Sequence, residues 1–228
     1  MCGRFNSIAS GKEFATVFDA KLDVEELAPN HNVAPTTLVY VLRREHTGLH
    51  LGAMTWGLVP SWSIDNSRAA SMINARSETL TEKPSFRNLL SQHRCVLPIK
   101  GFYEWKNLPS ETKKLKKQAF YIARADNEVM TVAGLWTSWK QPDGSVLQTC
   151  TIITTDANQK LVEIHHRMPV ILERESVMMW LRDSKTAPIE ILVAASDDVV
   201  TFEPTDRLNS ASNTSSTQFD DDASGRLF

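Results

Sequence analysis

Short runs in which β-branched and aromatic residues alternate or cluster recur along the chain: 36-TTLVYVLR-43, 94-RCVLPIK-100, 118-QAFYIAR-124, 129-VMTVAGLW-136 and 146-VLQTCTIITT-155. Each is bounded by Gly, Pro or Asn/Asp and predicts a strand. The segments 129–139 and 146–155 flank 141-QPDG-144, whose Pro and Gly predict a hairpin turn. Helical periodicity is weaker and local. It predicts helices over 11-GKEFATVFDA-20, 85-SFRNLLSQH-93, 156-DANQKLVEI-164 and 173-ERESVMMWLRD-183, with Asp156 placed to cap the third. Strands and helices do not alternate regularly, which argues against a doubly wound parallel sheet. The expected fold is α+β: a single domain with a curved, partly barrel-like mixed β-sheet core and several short helices.

This patterning runs through residue 207 and then stops. In 208-LNSASNTSSTQFDDDASGRLF-228, Ser, Thr, Asn and Asp replace apolar periodicity, so a domain over 1–207 and a disordered polar tail over 208–228 are expected. The tail ends in an acidic triplet followed by Leu227 and Phe228, loosely similar to C-terminal docking peptides of replication proteins.

Composition narrows the class. With 228 residues, 42% of them hydrophobic, the chain can bury a core without metals or disulfides. It has no run of 18 apolar residues, and Arg4 stands where an export signal would be hydrophobic, so a cytoplasmic protein without a membrane span is expected. Three cysteines, Cys2, Cys95 and Cys150, cannot all pair and fit a reducing compartment. The net charge is -2, yet Arg76 to Arg124 holds eleven basic against four acidic residues, a net +7 that suits a polyanion. Within it, 113-KKLKK-117 reads equally as a solvated loop.

Five segments could carry chemistry. Cys2 follows the initiator methionine, whose removal would leave an amine titrating near about 8 and a thiol near about 8.5 on one residue. Such a 1,2-aminothiol condenses with an aldehyde to an imine and then closes a thiazolidine ring. Gly3, Arg4 and Phe5 follow, offering close backbone approach, a bidentate phosphate grip and a core anchor, though Cys2 could equally be an accident of a flexible start. In 72-MINARSE-78, Asn74 can position an amine or a sugar; the bland reading has Asn and Ser capping a helix while Arg76 and Glu78 pair on the surface. In 98-PIKGFYEWK-106, Phe102, Tyr103 and Trp105 enclose Glu104, whose pKa should rise for want of solvation, unless strand alternation points it outward. In 161-LVEIHHRMPVIL-172, His165, His166 and Arg167 precede an apolar strand; no further ligands at zinc spacing accompany the histidines, so no metal and no cofactor are expected. In 55-TWGLVPSWS-63, Trp56 and Trp62 either stack on unpaired bases or belong to the core.

Taken together and in this order, MCGRF, 31-HNVAPTT-37, 55-TWGLVPSW-62, 72-MINARSET-79, 94-RCVLPIKGFYEWK-106 and 164-IHHRMPVIL-172 resemble the SOS response-associated peptidase family of abasic-site processing proteins. The likeness spans residues 2–207. It implies a DNA-damage enzyme in which Cys2 forms a thiazolidine with the opened deoxyribose of an abasic site in single-stranded DNA. It further implies that Asn74 holds the amine or sugar, that Glu104 is the acid/base and that His165 transfers protons. Arg4, Arg76 and Arg167 would grip flanking phosphates, and Trp56 and Trp62 lie in the aromatic loop. Lyase and self-processing peptidase activities accompany that reading, and a monomer is expected, with a replication-machinery contact through the tail. Two rivals use the same residues differently: a non-covalent single-strand-binding module, and an N-terminal cysteine peptidase built on a Cys2–His165 pair. His166 and the closing segment 202-FEPTDRLNS-210 depart from the family pattern.

Overall fold

The computed structural model describes residues 2–109 and 116–206. In chain order its elements are β1 (Arg4–Ser7), α1 (Gly11–Val17), β2 (Lys21–Leu22), β3 (Asn30–Val33), β4 (Leu38–Glu45), β5 (Gly48–Trp56), β6 (Asn74–Arg76), α2 (Pro84–Arg87), β7 (Arg94–Ile99), β8 (Gly101–Leu108), β9 (Lys116–Arg124), β10 (Met130–Lys140), β11 (Val146–Asp156), β12 (Arg167–Pro169), α3 (Arg174–Trp180) and β13 (Val200–Thr205).

Five of these strands close on themselves. β11 pairs β10, β10 pairs β7, β7 pairs β4 and β4 pairs β5, all antiparallel; β5 then returns to β11 in a parallel pairing at Thr149–Thr55 and Cys150–Trp56. The result is a small mixed barrel extended by β2, β6 and β12. A second, antiparallel sheet runs β13–β9–β8–β1–β3. Strand alternation divides the core in two. Val39, Val41, Met54, Trp56, Leu97 and Ile152 turn to one side and pack with Cys2, Phe5, Phe102 and Ile122 of the N-terminal segment and second sheet. Tyr40, Leu42, Leu51, Val96 and Leu135 turn to the other, where α1 and α3 cover them with Phe14, Phe18, Val177 and Trp180. A ring of five strands has no room for helices inside, so this second face is its exterior.

The α+β barrel-like expectation therefore holds, and all five predicted strands form. The helices are shorter than their sequence patterns. α1 starts where Ser10 accepts from the Glu13 amide and ends before Asp19, whose φ is +50°. The pattern at 85–93 yields a single α-helical turn, Pro84–Arg87, followed by turns in which the Leu89 amide bonds the Phe86 carbonyl and the His93 amide the Leu89 carbonyl. No α-helix forms over 156–164. Asp156 is the last residue of β11 and its carboxylate binds Arg167 at 2.6 Å, so it cannot cap; Asn158 accepts from the Leu161 amide at 2.9 Å and opens only a 3-10 turn, Leu161–Glu163. The expected tail, 208–228, and most of 113-KKLKK-117 lie outside the described residues. Among the described residues no helix is long and apolar enough to cross a membrane.

Candidate active site

β1 places the N-terminus. It lies between β3 and β8, with Arg4 opposite Tyr103 and Phe5 opposite Phe102, so the antiparallel register, continued, sets Gly3 opposite Glu104 and Cys2 one residue further on, close enough to feel the Glu104 charge. Phe5 is fully buried against the Trp56 ring, centroids 4.7 Å apart, which pins the segment. Gly101 begins β8 where nothing larger fits: a Cβ there would lie 2.5 Å from the Ile122 carbonyl oxygen. The Tyr103 hydroxyl donates to the His31 carbonyl at 2.9 Å, tying β8 across β1 to β3.

Cys2 is fully buried, and burial together with the nearby Glu104 charge pushes its thiol well above the usual range. Glu104 is 4% exposed, and loss of solvation raises its carboxyl. The two shifts act in concert: the thiol stays protonated at neutral pH, and the carboxyl comes closer to holding a proton itself. Asn74 supplies the third group. β6 runs parallel to β11 with Asn74 opposite Ile152, and the Asn74 amide donates to the Cys2 carbonyl at 2.8 Å. Its Oδ1 is buried with no hydrogen-bond partner, leaving an unused acceptor on the side chain that holds Cys2.

His165 follows the 3-10 turn, and its neighbours Ile164 and Met168 pack in the same core cluster as Cys2. The Arg167 amide donates to its Nδ1 at 2.9 Å, so the neutral ring carries its proton on Nε2. Its pKa is lowered to about 4, by burial first and then by the positive charge of the chain's amino terminus, with the Arg167 amide bond acting in the opposite direction. The His166 ring stacks on it, 4.4 Å away and 22° from parallel, so the departure from the family pattern sits directly against the candidate proton carrier.

The residues expected at DNA divide. Arg4 is half-buried and held at 3.0 Å by Asn32; Arg76 is exposed, two residues beyond Asn74 and on its face of β6. Trp62 is 58% exposed in the loop after β5, beside Ile64 at 92%, and Trp139 fastens this loop by donating to the Ser63 carbonyl at 2.7 Å. Trp56 and Arg167 are instead engaged within the protein. Trp56 is fully buried and donates to the Ile73 carbonyl at 3.0 Å; it is core. Arg167 is 6% exposed; its two terminal nitrogens bond Glu78, Asp156 and Thr154, while its Nε is buried without a partner. The surface pair read between Arg76 and Glu78 is thus replaced by Arg167–Glu78, across 89 residues, for which the sequence carries no local signal.

A carboxylate–histidine group elsewhere, Asp23, Glu45 and His50, is satisfied internally. His50 bonds Asp23 through Nδ1 and Thr47 through Nε2, both at 2.6 Å. Two cavities of about 360 and 390 Å³ open at Arg44–Trp136–Arg182 and at Phe14–Arg124–Leu172, and neither is lined by Cys2, Asn74, Glu104 or His165.

The barrel with its second sheet and the N-terminal cysteine embedded between them define a class. The model of the SOS response associated peptidase (SRAP) family matches residues 1–209, and the chain belongs to that family. Among its relatives are abasic site processing protein YoqW of Bacillus subtilis, 38% identical over 94% of this chain and 97% of that protein, and YedK of Escherichia coli, 31% identical over 86% of each. The mouse abasic site processing protein HMCES is 30% identical over 84% of this chain and 65% of its own length. A solved structure of a protein from Bacteroides thetaiotaomicron superposes with a TM-score of 0.79 at 25% identity, covering 89% of this chain and 91% of the other.

Proposed function

We propose that this protein captures abasic sites in single-stranded DNA as a covalent thiazolidine through Cys2, once Met1 has been removed. The supporting observation is the Asn74 amide bound to the Cys2 carbonyl, with a buried, unpaired Oδ1 beside it. That oxygen is suited to accept from the Cys2 amine and aim its lone pair.

The chemistry balances without a cofactor. The amine nitrogen adds to the aldehyde carbon of the opened sugar, giving a carbinolamine. Glu104, poised to carry a proton by its raised pKa, protonates the departing hydroxyl as water and then takes the proton from the nitrogen, so a neutral imine remains. The sulfur then bonds to the imine carbon while the thiol proton passes by way of Glu104 to the nitrogen. The high thiol pKa fits this order: the sulfur waits as a neutral thiol until the imine draws it in. His165, neutral at pH 7 with its proton on Nε2, serves as donor to the ring oxygen as the sugar opens. Holding the reactants together accounts for up to about 7–11 kcal/mol of the barrier. Thiol capture competes with loss of the 3′ phosphate by β-elimination, so the crosslink protects the strand. Arg4, Arg76 and the exposed Trp62 supply phosphate and base contacts, and the lesion-bearing strand is the partner.

Intact mass spectrometry tests this directly. Protein incubated with an oligonucleotide bearing one abasic site is expected to have lost Met1 and to carry the oligonucleotide mass less one water, stable to heat and absent with undamaged DNA. Retained Met1, or a mature Cys2 without adduct, overturns the aminothiol mechanism.

A further inference from the structure

The turn joining β4 to β5, the segment leading into β7, Trp136 of β10 and the end of α3 enclose a cavity of about 360 Å³, within the ~300–1,000 Å³ of small-molecule sites. Its charges are sorted unevenly. The Arg94 guanidinium is used up by the carbonyls of Leu90, Ser91, Trp180, Arg182 and Ser184. Those bonds also cover the carbonyl end of α3, whose partial negative charge would otherwise repel an anion. Of the two carboxylates, Glu45 is bound to Arg43 at 2.5 Å and Asp183 acts electrostatically on Arg94. Two cations remain uncompensated among the described residues. Arg44 donates only through Nε, to the Leu181 carbonyl at 2.8 Å, so both of its terminal nitrogens are unused, and the exposed Arg182 side chain has no hydrogen bond or ion pair.

Beside these cations stands a flat wall. Trp136 is half-buried, and its amide donates to the His93 carbonyl at 2.9 Å, which holds the His93 ring against the indole with centroids 4.8 Å apart. Arg43 lies over the same indole, 5.6 Å from a ring centroid, without lining the cavity. Burial keeps the His93 imidazole below its usual range, so at pH 7 both rings are uncharged. An arginine end takes a phosphate through two parallel N–H···O bonds, and aromatic rings stack on heterocycles. A lone phosphate would leave most of this volume unfilled, and an uncharged heterocycle would leave the arginines unused. We propose that the cavity binds a nucleoside monophosphate, its phosphate on Arg44 and Arg182 and its base against Trp136 and His93. None of Cys2, Asn74, Glu104 or His165 lines the cavity, so the inference stands apart from the crosslinking reading.

Isothermal titration of the full-length protein with deoxyadenosine monophosphate, deoxyadenosine and inorganic phosphate tests this. The monophosphate is expected to bind one to one. The nucleoside and the inorganic ion should each bind about tenfold or more weakly, because either lacks half of the recognition. Arg44→Gln and Arg182→Gln should each weaken the monophosphate by about tenfold, the loss of one charged hydrogen-bonding group, and leave the rate of adduct formation with an abasic oligonucleotide unchanged. Arg182→Gln carries the test should Arg44→Gln unfold, since the Arg182 side chain holds no partner in place. No binding of the monophosphate at millimolar concentration refutes the proposal. So does equal affinity for the monophosphate and inorganic phosphate, which marks a simple anion site. Binding that both variants leave intact, or that an undamaged single strand displaces, puts the nucleotide on the DNA path and equally refutes it. In NMR spectra the Trp136 indole and His93 ring signals should move together as the monophosphate is added; unmoved signals in a protein that binds it place the ligand elsewhere and overturn the assignment.

Discussion

Trp56 and Trp62 sit six residues apart in one aromatic motif and end in opposite environments. Trp56 closes β5, is packed on Phe5 and has its indole N–H satisfied by a backbone carbonyl; Trp62 lies in the following loop with most of its ring in solvent. Gly57 makes the separation, since its φ of +135° turns the chain sharply and a Cβ there would lie 2.7 Å from the Ala69 carbonyl oxygen. Trp62→Ala is therefore expected to weaken single-strand binding by about 1–3 kcal/mol, one lost base-stacking contact, with the melting temperature unchanged. Trp56→Ala should cost about 3–5 kcal/mol of folding stability through the cavity it leaves. Fluorescence anisotropy with an undamaged oligonucleotide and thermal melting read the two effects; equal affinity loss at full stability in both variants would refute the assignment. Glu104 was easier to read than either ring, because a carboxylate between Tyr103 and Trp105 signals burial by its immediate neighbours. A tryptophan's burial depends on what faces it, and Phe5 is 51 residues away from Trp56.

At the scale of elements, the strands were legible and the helix ends were not. β4, β7, β10 and β11 announce themselves through clusters of β-branched and aromatic residues bounded by turn residues, and both of their faces are largely buried. What escaped were β5 and β8, nine and eight residues long, together with short strands whose pairing is settled by tertiary position, among them β6, which carries Asn74. The start of α1 shows the same dependence on distant partners. Glu26 accepts from the amides of Gly11 and Lys12, at 2.8 and 2.9 Å, and from the Tyr40 hydroxyl at 2.6 Å, closing the helix start over the Phe14–Phe18 face. The Tyr40 bond, followed by those two amides, lowers the Glu26 carboxyl to about 2. A carboxylate depressed on folding contributes stability above its unfolded pKa, near about 4.3, and loses it as pH falls through the folded value. Glu26→Gln should accordingly melt lower than wild type at pH 7, and the gap should close as pH falls from about 4.3 toward 2. Calorimetry at stepped pH checks this, and a gap independent of pH would mean that Glu26 acts by packing alone.

Across the whole molecule the fold disperses the charge that the sequence concentrates. The basic stretch from Arg76 to Arg124 reads linearly as one polyanion stripe, but it is distributed over β6, α2, β7, β8 and β9. Arg94 is buried among backbone carbonyls, Arg124 is paired with Asp126 at 2.6 Å and Glu173 at 2.7 Å, and Lys100 binds the Asn127 carbonyl. Among the described residues, two arginines flank Cys2: Arg4, bonded to Asn32 on the strand leading from Cys2, and Arg76, on the strand whose Asn74 bonds the Cys2 carbonyl. Recognition should then depend on the aldehyde and on ring stacking more than on counterion release. With two phosphates neutralised on a single strand, log affinity should fall against log salt with a slope of about -1.4, whereas ten contacts along a continuous stripe would give about -7. Binding isotherms for an undamaged single strand between low and physiological salt distinguish these values. A steep slope would place more of the basic stretch on the DNA path than Arg4 and Arg76. A shallow slope that flattens further in Arg76→Gln would make the strand carrying Asn74 part of the grip as well as part of the chemistry.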